Sequence, residues 1–361
     1  MNKAEQVTQK QTNLQNYAQY KAHNVFVLMF LLAALLFTAL LSLRAGSYDT
    51  SLVEITKAVF GKATDGKVNT VVQNMRLPRI LTAIIGGFGL GISGCVLQAI
   101  LRNPLASAST LGISQGASFG AAFAIIVLGA GAQGSTVASM QFSNPMLISA
   151  CAFVCSTGVS VIILALSRFK KITPEAMVLA GVALSAMFHG ATTLLQFFAN
   201  EIQLASVVFW SFGDLGRTGW KEVRLMAVVV LAATMYFLLS RWDYNALESG
   251  EQTAISLGVN VSRIRIINMV LCSITAAIIV SYIGIINFIG LVAPHIVRRF
   301  VGNNHAFLLP CSALMGAILL LLGDLAARMV ISPVILPIGA ITSFLGAPLF
   351  LYLLFKGGAR Q

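Results

Sequence analysis

Charged residues are scarce in this sequence, since Asp, Glu, Lys and Arg make up 10% of its 361 residues. An ordinary soluble domain carries about 25%. Hydrophobic residues make up 57%, and the mean hydropathy is +0.84. The scarcity of charge excludes a soluble enzyme, a disordered protein and a free nucleic-acid-binding domain. The net charge is +12, and the charged residues lie between long apolar runs. This arrangement indicates a membrane protein and not one that binds nucleic acid.

Cysteine is also scarce, and its spacing carries no metal-binding or redox signature. No two cysteines form a Cys-x-x-Cys motif, and all five lie inside apolar stretches: Cys95, Cys151, Cys155, Cys272 and Cys311. A disulfide framework is therefore excluded. We expect five buried thiols, no metal site and no cofactor in this chain.

Long apolar runs occupy most of the sequence. A helix that crosses a bilayer needs about 20 apolar residues, and hydropathy gives ten candidates, one of them short. They are Val25–Leu43, Ile80–Leu101, Thr110–Ala130, Met146–Ser167, Ala176–Ala199, Glu222–Ser240, Ile266–Tyr282, Ile285–Val297, Phe307–Val330 and Ile338–Phe355. The sequence therefore predicts an all-α, polytopic membrane protein with ten transmembrane helices.

The seventh and eighth spans come from one stretch that is too long for a single helix. Gly284, Asn287, Gly290 and Pro294 interrupt it, so we divide it into a full span and a short one. Short or broken helices are tolerated in membranes where they face protein or a cavity.

Polar ends flank the apolar region. Residues 1–24 lack the early apolar core of a signal peptide, so we interpret them as a cytoplasmic tail. Residues 25–356 form one predicted transmembrane domain, and residues 357–361 form a second cytoplasmic tail. An even number of spans places both termini on one side. The inside is favoured because it then holds 14 of the 24 Lys and Arg residues, on short loops.

Three motifs resemble catalytic or nucleotide-binding signatures but lie in the wrong context. Gly89–Gly94 matches the dinucleotide fingerprint inside a span, where glycines such as Gly87 and Gly91 favour close helix packing. Gly61–Lys67 nearly forms a phosphate loop, and Gly112–Gly116 matches a nucleophile elbow, but no strand precedes either one. We expect that this chain is not an enzyme and does not bind ATP itself.

Three segments between spans have helical character. Leu52–Phe60 is amphipathic, and Leu204–Trp210 is apolar and is predicted to lie on the bilayer surface or dip into it. Within Arg241–Arg265, Asn245 can cap a short helix and Gly258 can end it. A short inner helix between two spans is a natural contact for a cytoplasmic partner.

Two polar features belong to the spans themselves. His189 in the fifth span is either a haem or metal ligand or a histidine bonded between helices, and the second interpretation is favoured. Asp324 and Arg328 are four residues apart and can pair on one helix face. That pair is either structural, or Asp324 orients Arg328 towards an external partner.

An ordered series of motifs extends over about residues 25–356 and resembles one family. Its first half begins with Arg76-Leu77-Pro78-Arg79 and continues through the glycines of the second span, Gln98 and Arg102–Ala106. Its second half contains Gly250–Gly258, Phe288–Arg298, Leu309-Pro310, Asp324–Arg328, Leu336–Gly339 and Gly346–Pro348. The series resembles the FecCD-type permeases of binding-protein-dependent ABC importers, which take up iron–siderophore complexes, haem and vitamin B12.

The resemblance implies an assembly. Two permease subunits, here expected to be a homodimer, surround a dimeric central pathway lined by short or broken helices. Two copies of a cytoplasmic ABC ATPase hold ATP and Mg, and an extracytoplasmic substrate-binding protein delivers the cargo. The expected location is the cytoplasmic (inner) membrane.

The resemblance also implies residue roles. The arginines expected to dock glutamates of the binding protein are Arg76, Arg79 and Arg328. The coupling segment, residues 245–258, is expected to contact the ATPase through Asn245, Glu248, Glu251, Ala254, Leu257 and Gly258. The pathway or gate residues are expected to be Asn200, Glu201 and His189. In the family's B12 importer the gate carries small hydroxyls, so the amide and carboxylate here depart from that pattern.

Two other classes of protein compete with this interpretation. An ion-coupled secondary transporter predicts charged residues buried at mid-span, but apart from His189 spans two to eight carry almost none. A membrane-embedded enzyme is disfavoured because the catalytic motifs fail. The cargo stays open among iron–siderophore, haem, cobalamin and molybdate, with an iron chelate preferred.

Overall fold

The structure is a computed structural model that describes residues 3–45, 51–133, 141–169, 173–331 and 334–358. Within these ranges the chain is almost entirely helical. The α-helices are α1 (Lys3–Arg44), α2 (Leu52–Val59), α3 (Gly66–Val71), α4 (Leu77–Ile100), α5 (Ile113–Ile126), α6 (Pro145–Phe169), α7 (Pro174–Phe197), α8 (Glu201–Ser211), α9 (Trp220–Leu239), α10 (Arg241–Glu248), α11 (Glu251–Ser256), α12 (Val261–Ile283), α13 (Ile289–Val301), α14 (His305–Met329) and α15 (Ile338–Gly358). A π-helix (Val72–Arg76), a 3₁₀ turn (Leu215–Arg217) and a two-stranded antiparallel pair, β1 (Ala132–Gln133) and β2 (Gln141–Phe142), complete them.

The first helix is longer than the sequence pattern predicts. It begins at Lys3 and runs for 42 residues, so the polar segment before Val25 continues the first span as a helix. The segment from Lys3 to Asn24 contains no proline or glycine, and nothing in it interrupts the backbone hydrogen bonds. Hydropathy located the apolar part of the helix but gave no signal for its polar start.

The segment before α4 confirms the amphipathic prediction for Leu52–Phe60. There α2 begins after Ser51, whose hydroxyl accepts from the backbone N–H of Glu54 at 3.3 Å. The π-helix then joins α3 to α4, its last bond running from the Leu77 N–H to the Val72 carbonyl, and Pro78 follows in the first turn of α4. The chain therefore enters the second span without a break.

Glycines bring α4 against α13 and α14 at backbone distance, as predicted for Gly87 and Gly91. A methyl group added at Gly87 would collide with the carbonyl oxygen of Gly316, and one at Gly94 would collide with that of Gly290. Small residues permit such close approach of helices, which strengthens van der Waals contact. The dinucleotide-like motif is thus a helix-packing surface.

The predicted break in the long apolar stretch after Val261 is confirmed. Helix α12 ends before Gly284, whose φ of +86° is unfavourable for other residues, and a methyl group there would meet the carbonyl oxygen of Trp210 at 2.6 Å. Helix α13 begins at Ile289 after Phe288, at φ +67°. It therefore starts and ends four residues later than the predicted short span, Ile285–Val297.

Seven of the described helices are long and apolar enough to cross a membrane, judged by length and composition: α1, α4, α6, α7, α9, α12 and α14. The predicted third, eighth and tenth spans correspond to α5, α13 and α15. Helix α5 has 14 residues, about 21 Å at about 1.5 Å per residue, which is less than the roughly 30 Å of a bilayer core. The all-α prediction is confirmed.

Contacts between distant segments define two opposite ends of the helix bundle. At one, the arginine end, the last turn of α1 meets the start of α4 and the end of α14, through Arg76, Arg79 and Arg328. At the other, the coupling end, α10 meets the start of α14, and the Tyr20 hydroxyl donates to the Val301 carbonyl at 3.2 Å. Helices α1 and α14 are therefore parallel neighbours.

Candidate functional site

One buried carboxylate organises the arginine end. Asp324 Oδ1 accepts from Arg79 Nε at 2.8 Å, and its Oδ2 accepts from Arg328 Nε at 2.9 Å. The Asp324 side chain is 0% exposed, and the two arginines are 12% and 11% exposed. The predicted pair on α14 therefore exists, but its second arginine comes from α4, 245 positions away. No local spacing signals that contact.

Arg328 and a third arginine, Arg76, also hold the end of α1. Arg328 donates to the carbonyl of Ala45 at 2.8 Å and to the hydroxyl of Ser42 at 2.5 Å. Arg76 donates to the carbonyl of Leu43 at 2.7 Å. The last carbonyls of a helix have no partner within it, so these guanidinium groups satisfy them with charge-assisted bonds.

The three arginines predicted to dock a binding protein are thus inside the fold in this chain. Arg79 has a neighbour that reaches solvent, since its Nη1 lies 3.8 Å from Asp214, which is 41% exposed. A guanidinium carries five N–H donors, so Arg79 can hold Asp324 and a second carboxylate. Docking by these residues stays a prediction.

The coupling segment consists of two short helices where the sequence predicted one. Helix α10 begins at Arg241, directly after α9, so Asn245 lies within it and the prediction that Asn245 caps a helix is wrong. Gly250 at φ +115° separates α10 from α11, and Gly258 at φ +86° follows the end of α11. Only glycine adopts such angles without strain, so both turns are fixed by the sequence.

Polar bonds attach the coupling segment to the transmembrane helices. Asn245 Oδ1 accepts from the backbone N–H of His305, the first residue of α14, at 2.8 Å. Glu248 accepts from Asn303 at 2.8 Å, and Glu251 pairs with Arg265 of α12 at 3.2 Å. The segment is therefore held by two spans at once, and its movement would carry both.

The remaining predicted coupling residues divide into a buried one and two exposed ones. Ala254 is fully buried, whereas Leu257 is 68% exposed and Gly258 is exposed. Ile255 and Trp242, which the sequence analysis did not select, also present large apolar side chains to solvent. Exposed apolar side chains on a short, polar-rich segment are typical of a protein–protein contact.

The predicted gate residues lie on both sides of the α7–α8 junction. Asn200 caps α8 reciprocally with Gln203: its Oδ1 accepts from the Gln203 N–H at 2.9 Å, and its own N–H donates to Gln203 Oε1 at 3.1 Å. Glu201 follows in the first turn, where a carboxylate is favourable. Both are exposed, so a role in the pathway stays a prediction.

His189 is not bonded between helices in this chain. Its side chain is exposed on α7, together with Gly190 and Thr193, and only its backbone carbonyl accepts a bond, from Thr193 at 3.1 Å. Among the described residues, no three His, Cys, Asp or Glu side chains form a group that could hold a metal ion. The interhelical interpretation of His189 is therefore wrong for the single chain.

Comparisons with known proteins agree with the motif series. The FecCD transport family matches residues 34–356. A protein of Methanocaldococcus jannaschii, named as a candidate ABC transporter permease, is 48% identical over 95% of this chain and 97% of its own length. The hemin transport system permease of Yersinia pestis is 34% identical over 91% of this chain and 95% of its own length. An Fe(3+)-citrate import system permease of Bacillus subtilis is 35% identical over 93% of this chain and 96% of its own length.

A solved structure has the same fold. It is described as an inward-facing conformation of a candidate metal-chelate type ABC transporter, and it matches with a TM-score of 0.79 and 33% identity. The match covers 91% of this chain and 99% of that one. The sequence and the fold thus lead to one conclusion, which the ordered motifs had predicted: this chain belongs to the FecCD transport family.

Proposed function

We propose that this chain is the transmembrane permease subunit of an ATP-driven importer that carries a metal chelate across the cytoplasmic membrane. The family match over residues 34–356 carries the proposal, since the relatives described above include a hemin and a ferric citrate permease. In this proposal a binding protein delivers the chelate and two cytoplasmic ATPases supply the energy. An iron chelate is the preferred cargo.

The proposed arrangement has ten spans, with α5, α13 and α15 added to the seven long helices, and both termini in the cytoplasm. Short helices such as α13 are stable in a membrane when protein or a cavity surrounds them. Residue 3 and the coupling end are then cytoplasmic, and the arginine end faces outward. The positive-inside rule supports this orientation.

The coupling segment is proposed to receive the ATPase. Leu257 and Ile255 would enter a groove on the ATPase, while the bonds of Asn245 and Glu251 transmit its motion to α14 and α12. ATP-driven closure of the two ATPases would then rotate the spans as rigid bodies.

Docking of the binding protein is proposed at the arginine end. An incoming carboxylate would take the place of Asp214 beside Arg79, and the rigid guanidinium fork favours a bidentate contact. Arg76 and Arg328 would keep α1 against α4 and α14, so that Arg79 is presented in a fixed position.

The alternative is an ion-coupled secondary transporter. Among the described residues, the buried carboxylate Asp324 lies near the end of α14 and is already shared by two arginines. An ion-coupling site would instead need a charged group at mid-span that gains and loses an ion. That observation favours the ATP-driven importer.

The test is co-purification and transport. The chain is expressed with its neighbouring ATPase and binding protein, reconstituted in lipid vesicles, and supplied with a ferric siderophore, haem or cobalamin. We expect one loaded binding protein to stimulate ATP hydrolysis and uptake. Uptake that follows an ion gradient, with no ATPase associated, would contradict the proposal.

A matched pair of variants tests the coupling surface in the same preparation. Leu257→Asp places a charge on the exposed face of α11, whereas Val53→Asp does so on α2, near the arginine end. We expect Leu257→Asp to weaken ATPase association about tenfold, as for a central apolar contact residue, and Val53→Asp to leave it unchanged.

A further inference from the structure

A cavity of about 500 Å³ opens near the arginine end, outside the sites discussed so far. Its walls are the start of α6, the end of α8, the start of α9 and the end of α12. Three of these, α6, α9 and α12, are helices long enough to cross a membrane, and their termini meet at the cavity. A point where spans end is the level at which a bilayer changes from acyl chains to headgroups.

The inner part of the cavity carries a partly desolvated guanidinium. Arg217 donates to the carbonyls of Trp210 at 3.4 Å and Phe209 at 2.5 Å, and its Cζ lies 5.6 Å from the centre of the Phe142 ring. Burial lowers the pKa of Arg217, and the charge of Asp214 offsets this only in part. Two of its five N–H donors hold these carbonyls, so the others can bind an anion.

The charged residues that line the cavity carry a net positive charge. Lys221 lines it as an exposed side chain. Glu222 also lines it, but its Oε2 accepts from the backbone N–H of Gly219 at 2.9 Å, at the start of α9. Of the charged residues that line the cavity, two are therefore cations and one is a carboxylate, whereas Asp214, whose charge also acts on Arg217, does not line it. This balance suits a phosphate group.

The other part of the cavity is apolar and continues along the spans. Leu225 lies one turn beyond Lys221 on α9, and Met146 is an exposed residue in the first turn of α6. The exposed apolar side chains of α9 continue from Leu225 in a stripe through Val228 and Leu231. The cations at the headgroup level match the phosphate of a lipid, and the apolar stripe below them matches its acyl chain.

We propose that this cavity binds an anionic phospholipid, with its phosphate on Arg217 and Lys221 and an acyl chain along Leu225 and Met146. A soluble anion would use the cations but gain nothing from the apolar stripe. A lipid matches both the cationic and the apolar part of the cavity, whereas its headgroup alone matches only the cationic part. The bound lipid would join α6, α9 and α12 at one level of the membrane.

The test is lipid retention by the purified full-length chain. The protein is stripped of lipid in mild detergent and offered phosphatidylglycerol, phosphatidylcholine or glycerol 3-phosphate, and bound molecules are counted by native mass spectrometry. We expect phosphatidylglycerol to be retained in preference to the other two. Equal retention of phosphatidylcholine, or binding of glycerol 3-phosphate as tight as that of phosphatidylglycerol, would overturn the proposal.

Three variants locate the site. Arg217→Gln and Lys221→Gln each remove a cation, and we expect each to lower phosphatidylglycerol affinity about tenfold, the loss of one charge-assisted contact. Lys221 is exposed, so its variant tests the site even if Arg217→Gln folds poorly. Arg224→Gln is the control, because Arg224 is exposed on the same helix but does not line the cavity. Equal retention in all variants would show that the lipid binds elsewhere.

Discussion

Asp324 illustrates how one residue determines an entire end of the molecule. Its two oxygens accept from arginines of α4 and α14, and Arg328 also donates to the carbonyl of Ala45 at the end of α1. A buried ion pair contributes little over an apolar pair of the same shape, but leaving one member without its partner is costly. Both guanidinium groups pair with this buried carboxylate, and Arg79 has Asp214 as a second, partly exposed neighbour.

Replacement of Asp324 should therefore destabilise the protein strongly. We expect Asp324→Asn to lower the free energy of unfolding by about 3–5 kcal/mol, because it leaves the guanidinium of Arg328 without a counter-charge and that of Arg79 with only the partly exposed Asp214. The control is Asp214→Asn, which removes a 41% exposed carboxylate from Arg79 and should cost less than about 1 kcal/mol. Thermal unfolding in detergent measures both, and similar shifts would show that the network does not stabilise the fold.

At the scale of elements, α4 packs against α9, α12, α13 and α14. Its glycines let α13 and α14 approach to backbone contact, and the same helix begins next to Arg79 and ends near Arg265. Such interfaces tolerate no added volume, since the opposing atoms are carbonyl oxygens that cannot change rotamer.

Gly94→Ala tests this packing. The added methyl would collide with the Gly290 carbonyl, and we expect a loss of about 1–3 kcal/mol of stability, typical of overpacking. Gly158→Ala on α6 is the matched control, because no atom lies within 4 Å of its added methyl. There we expect a gain of about 0.5–1 kcal/mol from higher helix propensity. Equal behaviour in thermal unfolding would contradict the packing interpretation.

The coupling segment supplies the second prediction at this scale. Asn245→Ala removes the bond to the start of α14, worth about 1 kcal/mol, while Leu257 stays available to the ATPase. We expect ATPase binding to persist and the number of chelates imported per ATP to fall.

Gln252→Ala, on the exposed face of α11, is the control for Asn245→Ala. It should leave both ATPase binding and the transport ratio unchanged. If Asn245→Ala also keeps the normal number of chelates imported per ATP, the proposal that α14 transmits the motion of the ATPase is wrong.

At the scale of the whole molecule, α7 is the least enclosed of the seven long helices. Its exposed residues include apolar ones such as Leu194 and Phe197 but also His189, Gly190 and Thr193. Polar and ionisable groups within a span almost always face protein or a water-filled cavity. This composition fits the homodimer expected from the family resemblance, and we propose that a second copy and the central pathway cover α7.

Cross-linking tests the homodimer. A cysteine at Leu194 on α7 should form a dimer under mild oxidation in membranes, because two-fold symmetry brings equivalent positions together. A cysteine at Val228, which is equally exposed on α9, should not, since lipid is expected to cover it. Denaturing gels without reductant measure the dimer formed by each variant. The parent chain is the control for cross-links through its five native thiols. Dimers at Val228 alone would place the interface on α9.

The sequence by itself determined the class, the long apolar helices and the break at Gly284. Apolar run length, Gly284 and the glycines of α4 act locally, through hydrophobic burial and backbone freedom, so their effects can be derived from neighbouring residues. The ordered motifs also indicated the family. The start of α1 escaped prediction because a polar helix has no hydropathy signal.

Only the tertiary structure decided which distant side chains meet. Arg79 and Asp324 are 245 positions apart, and Asn245 and His305 are 60 apart. Such contacts depend on how α4, α10 and α14 pack, which no local pattern encodes. The arginines that the sequence presents as free docking groups are therefore bound inside the fold, because buried helix ends and a buried carboxylate require partners.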